Sequence, residues 1–182
     1  MVSCFFSRLS IIATLALTVW VPSWSTSLII KNAHTEVYFS PNGGCQDAVV
    51  NTIKHARKSI LVQAYSFTSS QIADALKWAH NTGVNVTVIL DRSQINGRYS
   101  GLTRLQQAGI PVWLDCHHAI AHNKVIVIDG EIVITGSFNF TKAAEKSNAE
   151  NVIIINDIQL ARLYTDNWQS HRKHSELLSS AH

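Results

Sequence analysis

His122 and Lys124 stand two positions apart at the head of a β-branched run. In a strand that spacing puts both side chains on one face and turns Asn123 away. An imidazole there can attack phosphorus or shuttle a proton, and an ammonium beside it neutralises phosphoryl oxygens. Ser137 and Asn139 repeat the spacing downstream, offering a hydroxyl and an amide to the same oxygens. The four residue types together suit phosphate chemistry.

A hairpin must bring the two pairs side by side. Residues 125–128 and 131–134 are β-branched runs around Asp129-Gly130, a strong two-residue turn signal. Asp129 is favoured at such a turn for backbone reasons, and Gly136 permits a tight backbone; both are expected to be structural. Upstream, the pattern predicts a strand over 37–39, a Pro41-Asn42-Gly43-Gly44 turn and an amphipathic helix over 46–57. A β-rich run follows at 59–67, then a helix capped by Ser69 or Ser70 that buries Ile72, Leu76 and Ala79 and ends at Gly83. Strands are expected over 84–90, 111–114 and 151–155, with helices near 100–108 and after an Asp157 cap. Strands alternating with helices early and a hairpin late imply an α/β fold, a mixed β-sheet flanked by helices.

His122, Lys124, Asp129, Gly136, Ser137 and Asn139 fit H-x-K-x4-D-x6-G-S-x-N in full. This pattern resembles the phospholipase D superfamily. Residues 64–68 (AYSFT), 136–144 (GSFNFTKAA) and Asn148-Ala149-Glu150-Asn151 look like small bacterial endonucleases of the Nuc type, and the similarity covers most of residues 35–173. The resemblance implies a nuclease-like sandwich with one motif per chain and a phosphohistidine mechanism without a metal or other cofactor. Carried over, His122 is the nucleophile or, in a partner copy, the acid. Lys124 and Asn139 clamp the phosphate with Ser137 beside them, and the Glu150 carboxylate holds the imidazole by its other ring nitrogen. Two histidines are required and one motif is present, so the resemblance implies a homodimer with a shared cleft. The Tyr-Ser-Phe-Thr block marks Ser66 or Phe67 as bordering the site. Arg98 and His118 are further candidates for substrate contact.

The rest of the chain bounds this reading. A length of 182 residues, 46% hydrophobic and 15% charged, suits one folded domain over 26–182. Residues 1–25 carry Arg8, an apolar run over 11–21, Pro22 and small residues, the layout of a secretory signal peptide; an uncleaved N-terminal anchor is the alternative. A periplasmic or secreted location is expected. Losing Arg8 would lower the net charge from +3 to +2, too weak to indicate nucleic acid by itself. The positive charge is local, at Lys54, Arg57 and Lys58, at Arg92, Arg98 and Arg104, and at 171–174. Cys45 and Cys116 are compatible with a disulfide or with free thiols. Cys116, His117, His118 and His122 suggest a zinc set on a helix, but the β-rich run from Lys124 disfavours a helix there, so no metal is expected. The favoured function is hydrolysis of DNA, or RNA, with a membrane phospholipid as the alternative substrate and a silent nucleic-acid binder as the third class.

Overall fold

The computed structural model describes residues 26–96 and 101–178. The predicted leader (1–25) and Arg98 lie outside them. Among the described residues no helix is long and apolar enough to cross a membrane.

The strands are β1 (His34–Ser40), β2 (Ser59–Ala64), β3 (Asn85–Asp91), β4 (Val112–Asp115), β5 (Lys124–Ile128), β6 (Ile132–Gly136), β7 (Glu150–Asn156) and β8 (Glu176–Leu177). They form one sheet in the order β1-β7-β6-β5-β2-β3-β4-β8. β2, β3 and β4 are parallel and every other pairing is antiparallel, so the sheet is mixed. The helices are α1 (Cys45–Lys54), α2 (Ser70–Asn81), α3 (Leu102–Gln107), α4 (Lys142–Lys146) and α5 (Ile158–Lys173).

Strand alternation builds two cores. Ile126, Ile128 and Ile134 join the cluster with Val49 and Ile53 of α1 and Ile72 and Leu76 of α2. Val125, Val127 and Val133 turn to the opposite face and pack with Ala161, Leu160 and Tyr164 of α5. Helices therefore cover both faces of the sheet. The helix starts follow their caps: Ser69 Oγ accepts from Ile72 N–H at 3.3 Å, and Asp157 Oδ1 from Leu160 N–H at 2.7 Å. At the hairpin tip, Asp129 (φ 58°) and Gly130 (φ 70°) are both left-handed, and Glu131 N–H donates to Ile128 carbonyl at 3.0 Å. That is the turn the Asp-Gly pair favours.

One expected boundary differs, and two short elements are not foreseen by the sequence pattern. β2 stops at Ala64 instead of running to Phe67, because the Phe67 N–H goes to Gln94 Oε1 at 3.1 Å and its carbonyl accepts from Gly101. The short edge strand β8 and a 3-10 turn over Arg92–Asn96 carry no periodicity long enough to predict. Cys45 and Cys116 are free, not bonded to each other.

Candidate active site

One end of the sheet gathers the chemistry. The carboxyl ends of the parallel strands β2, β3 and β4 lie beside the start of β5, the end of β6 and the start of β7. Tyr65, Asp91, Asp115, Lys124, Ser137 and Glu150 all fall at that edge. Crevices outside strand carboxyl ends are where open α/β sheets bind ligands.

Lys124 is 7% exposed, whereas His122 stands out into solvent. The Lys124 Nζ donates to the His122 carbonyl at 2.8 Å and lies 3.0 Å from its Nδ1. An ammonium has only donors, so Nδ1 accepts and the ring proton sits on Nε2. Burial pulls the Lys124 pKa below its ordinary value, and the nearby Glu150 carboxylate opposes that. Tyr65, immediately beyond β2, completes the triplet. Its ring centroid is 4.7 Å from that of His122, and Lys124 Nζ lies 5.4 Å from it. Tyr65 N–H donates to the Asn123 carbonyl at 3.0 Å, which fixes the backbone between the two catalytic candidates.

Ser137 and Asn139 sit on the turn after β6. Asn151 shapes that turn: its backbone and side-chain N–H groups donate to Ser137 Oγ at 3.1 and 3.2 Å. Its carbonyl accepts from Ser137 and Phe138 N–H, both at 3.2 Å. Gly136 (φ 144°) makes this possible, since a Cβ there would meet the Asn151 carbonyl oxygen at 2.3 Å. The Asn139 Oδ1 is buried without a partner. Glu150 accepts from Asn148 Nδ2 at 3.0 Å, and no hydrogen bond joins it to His122 within the chain.

Asp129 lies at the far end of β5, about 17 Å of strand from Lys124. Its carboxylate accepts from the N–H groups of Arg57, Lys58 and Ser59 at 2.9, 2.7 and 2.9 Å, pinning the entry to β2 against the hairpin. Burial alone would raise its pKa, but those three donors outweigh it and hold the carboxyl below its ordinary range.

Phe67 does not border the site. Its ring is fully buried, edge-on to Phe140 at 6.3 Å, and packs too closely on Gly101 to reach a ligand. Tyr65 borders the site instead, a residue whose place on a central strand reads as core. Ser66 is half-buried beside it. His118 faces Asp115, His171 and His174 rather than His122. Asp91 lies one residue beyond the strand expected over 84–90 and closes β3. Its Oδ2 accepts from Ala121 N–H at 2.8 Å and its Oδ1 from Ser93 N–H at 2.9 Å, so it anchors the loop that delivers His122. Next to this loop, a groove of about 550 Å³ is lined by Tyr65, Arg92, Ile95, Asn96 and Ile120 among others.

Comparison with known proteins agrees with this geometry. The family model described as "Cardiolipin synthase, PLD-like domain" matches residues 49–172. A phospholipase D from Rickettsia typhi is 51% identical over 143 residues, covering 79% of this chain and 70% of that protein. A mitochondrial cardiolipin hydrolase from Chlamydomonas reinhardtii is 32% identical over 130 residues, covering 71% of this chain and 57% of that protein. The crystal structure of a phospholipase D family member, Nuc from Salmonella typhimurium, superposes with a TM-score of 0.79 at 38% identity, covering 81% of this chain and 99% of that one. With its histidine–lysine pair seated at the open end of this mixed sheet, the chain belongs to the phospholipase D superfamily and is a phosphodiester hydrolase.

Proposed function

We propose that the protein is an exported endonuclease that hydrolyses DNA, or RNA, in a cleft shared by two copies of the chain, without a metal at the phosphate. The observation that carries this reading is the His122–Lys124 pair, with the imidazole exposed and the ammonium beneath it. One exposed histidine supplies one proton-transfer group. A phosphodiester displacement through a phosphohistidine needs a nucleophile and an acid, and a two-fold axis through the open end of the sheet provides both.

Phosphate oxygens draw Lys124 away from Nδ1, and Asn139 and Ser137 add hydrogen bonds to the same group. The ring proton then passes from Nε2 to Nδ1 through solvent, where the family resemblance assigns Glu150 to hold it, and Nε2 is left with a lone pair. That lone pair attacks phosphorus, the bond to the leaving oxygen breaks, and His122 of the second copy protonates that oxygen. Water next attacks phosphorus as the second histidine takes its proton, and the phosphorus–nitrogen bond breaks to restore His122.

Support for a nucleic acid over a lipid comes from the sequence similarity to Nuc-type endonucleases and from the basic stretches at 54–58, 92–104 and 171–174, which suit a phosphate backbone. The relatives named phospholipase D and cardiolipin hydrolase favour the second reading, hydrolysis of a membrane phospholipid. Export is inferred from the leader pattern of residues 1–25.

The test compares the chain with His122→Ala on plasmid DNA, on RNA and on vesicles of phosphatidylcholine and cardiolipin. Each is assayed briefly at low temperature in excess chelator. Nucleic-acid cleavage by the parent alone supports the proposal. Release of lipid head groups without it selects the phospholipase. An active species with the mass of one chain in gel filtration rules out the shared cleft.

A further inference from the structure

We propose that Asp115, His118, His171 and His174 form a structural binding site for one divalent transition ion of the zinc class, which ties the C-terminal helix to the loop that carries His122.

The four residues come from three places. Asp115 ends β4, His118 lies three residues on, and His171 and His174 stand on the last turn and cap of α5. The fold brings one potential ligand atom from each to within 4.8 Å of the others. Asp115 is fully buried, and its Oδ2 lies 2.9 Å from His118 Nδ1, 3.2 Å from His171 Nδ1 and 3.5 Å from His174 Nε2. A tetrahedral ion with bonds of about 2.0–2.1 Å holds its ligand atoms about 3.3–3.4 Å apart, a spacing these separations bracket.

Without an ion, the arrangement is hard to satisfy. Three ring nitrogens converge on one carboxylate oxygen, which offers two lone pairs. Protonating all three imidazoles would satisfy the charge of the carboxylate but crowd three cations together, with ring centroids about 5 Å apart. The His174 Nε2 is buried and makes no hydrogen bond. A divalent cation resolves all of this at once, because each neutral imidazole then offers a lone pair and Oδ2 becomes a ligand. The second carboxylate oxygen is already oriented, since Oδ1 accepts from the N–H groups of His117 and His118, both at 3.1 Å.

Nitrogen-rich ligation with one carboxylate suits zinc and its neighbours rather than magnesium or calcium. Four protein ligands leave no open position, the mark of a structural ion. Distance separates it from the chemistry too: β4 lies three strands from β5, roughly 14 Å at about 4.8 Å per strand. Its role is to brace. Asp115 and Asp91 hold the two ends of the segment 116–121, and the ion fixes the first of them to α5.

The test uses untagged chain, stripped with chelator and titrated with zinc or cobalt(II). We expect one ion per chain, tetrahedral cobalt absorption in the visible, and X-ray absorption with three imidazole nitrogens and one oxygen around zinc. The melting temperature should rise with added zinc by mass action. His171→Ala/His174→Ala should lower the affinity at least 100-fold and remove that rise, and His118→Gln, at the most exposed ligand, serves if the double variant does not fold. No stoichiometric uptake by the parent chain, or equal uptake by parent and variants, overturns the proposal. Turnover at low temperature in chelator is a separate readout, so loss of the ion and loss of the phosphodiesterase reading remain distinguishable.

Discussion

In the free protein the Lys124 ammonium directs two of its donors at one residue, the carbonyl of His122 at 2.8 Å and its Nδ1 at 3.0 Å. The lysine thereby sets the tautomer of its neighbour before substrate arrives, and phosphate must compete for it.

The first prediction follows from the burial of that lysine. Its pKa is pulled below the ordinary value by desolvation, with Glu150 opposing, so cleavage should lose its alkaline limb at a lower pH than an exposed lysine would set. Stability should move the other way. Between the folded pKa and the higher unfolded one, the unfolded chain binds more protons, and unfolding free energy therefore rises with pH. Lys124→Met should erase both trends and lower kcat by about 10²–10³-fold, the range for removing one strong donor to a charged transition state. Paired pH series of kcat and of melting temperature check this.

Asp129 should behave as a staple. Asp129→Asn keeps a residue that tolerates the left-handed backbone but weakens three charge-assisted hydrogen bonds. A loss of about 1.5–3 kcal/mol in unfolding free energy is expected, with kcat of the folded variant nearly unchanged. The folded carboxyl titrates below its ordinary range, so its contribution is present above the unfolded pKa and is lost as pH falls through the folded one. The variant should flatten this acid limb in urea unfolding curves. A large fall in kcat with stability intact would instead place Asp129 in the chemistry.

Gly136→Ala tests the seat of Ser137 and Asn139. The added methyl would meet the Asn151 carbonyl oxygen at 2.3 Å on a backbone with φ 144°, so the turn must shift. We expect destabilisation of about 1–3 kcal/mol from the strained backbone alone and a larger proportional loss of kcat than of substrate affinity. Ser137→Ala should cost less in both, because it adds no backbone strain and the Asn151 N–H groups it releases are at an exposed position open to water.

The sheet and the hairpin were legible because alternation and helical periodicity report burial directly: Ile126 and Ile128 face one core, Val125 and Val127 the other. The His122–Lys124 pair was legible from its residue types and spacing, although β5 begins only at Lys124 and the Lys124 ammonium reaches back to His122 across the coil before it. Other relationships depend on contacts between distant segments. Tyr65 falls inside the β-rich run 59–67, and nothing local reveals that β2 ends at Ala64, one residue before it. His118 was weighed against His122, four residues on, whereas its partners His171 and His174 arrive on a helix more than fifty residues away. Asp91 gave no motif at all, because its function is to accept a backbone N–H from Ala121 across the gap between strands.

That placement of Tyr65 yields the last prediction. Its ring packs against His122 at 4.7 Å and lies under the Lys124 ammonium at 5.4 Å, while its hydroxyl makes no hydrogen bond with either. What the site uses is therefore the face of the ring. Tyr65→Phe should keep kcat within about twofold, since the quadrupole and the shape survive. Tyr65→Ala leaves the His122 and Lys124 side chains free to swing, and a displacement on the order of 1 Å costs up to about 10²-fold in rate. The residue is half-buried at the sheet edge, so melting should fall far less than activity. Equal losses of kcat in the phenylalanine and alanine variants would mean that the hydroxyl, not the ring, acts on the substrate.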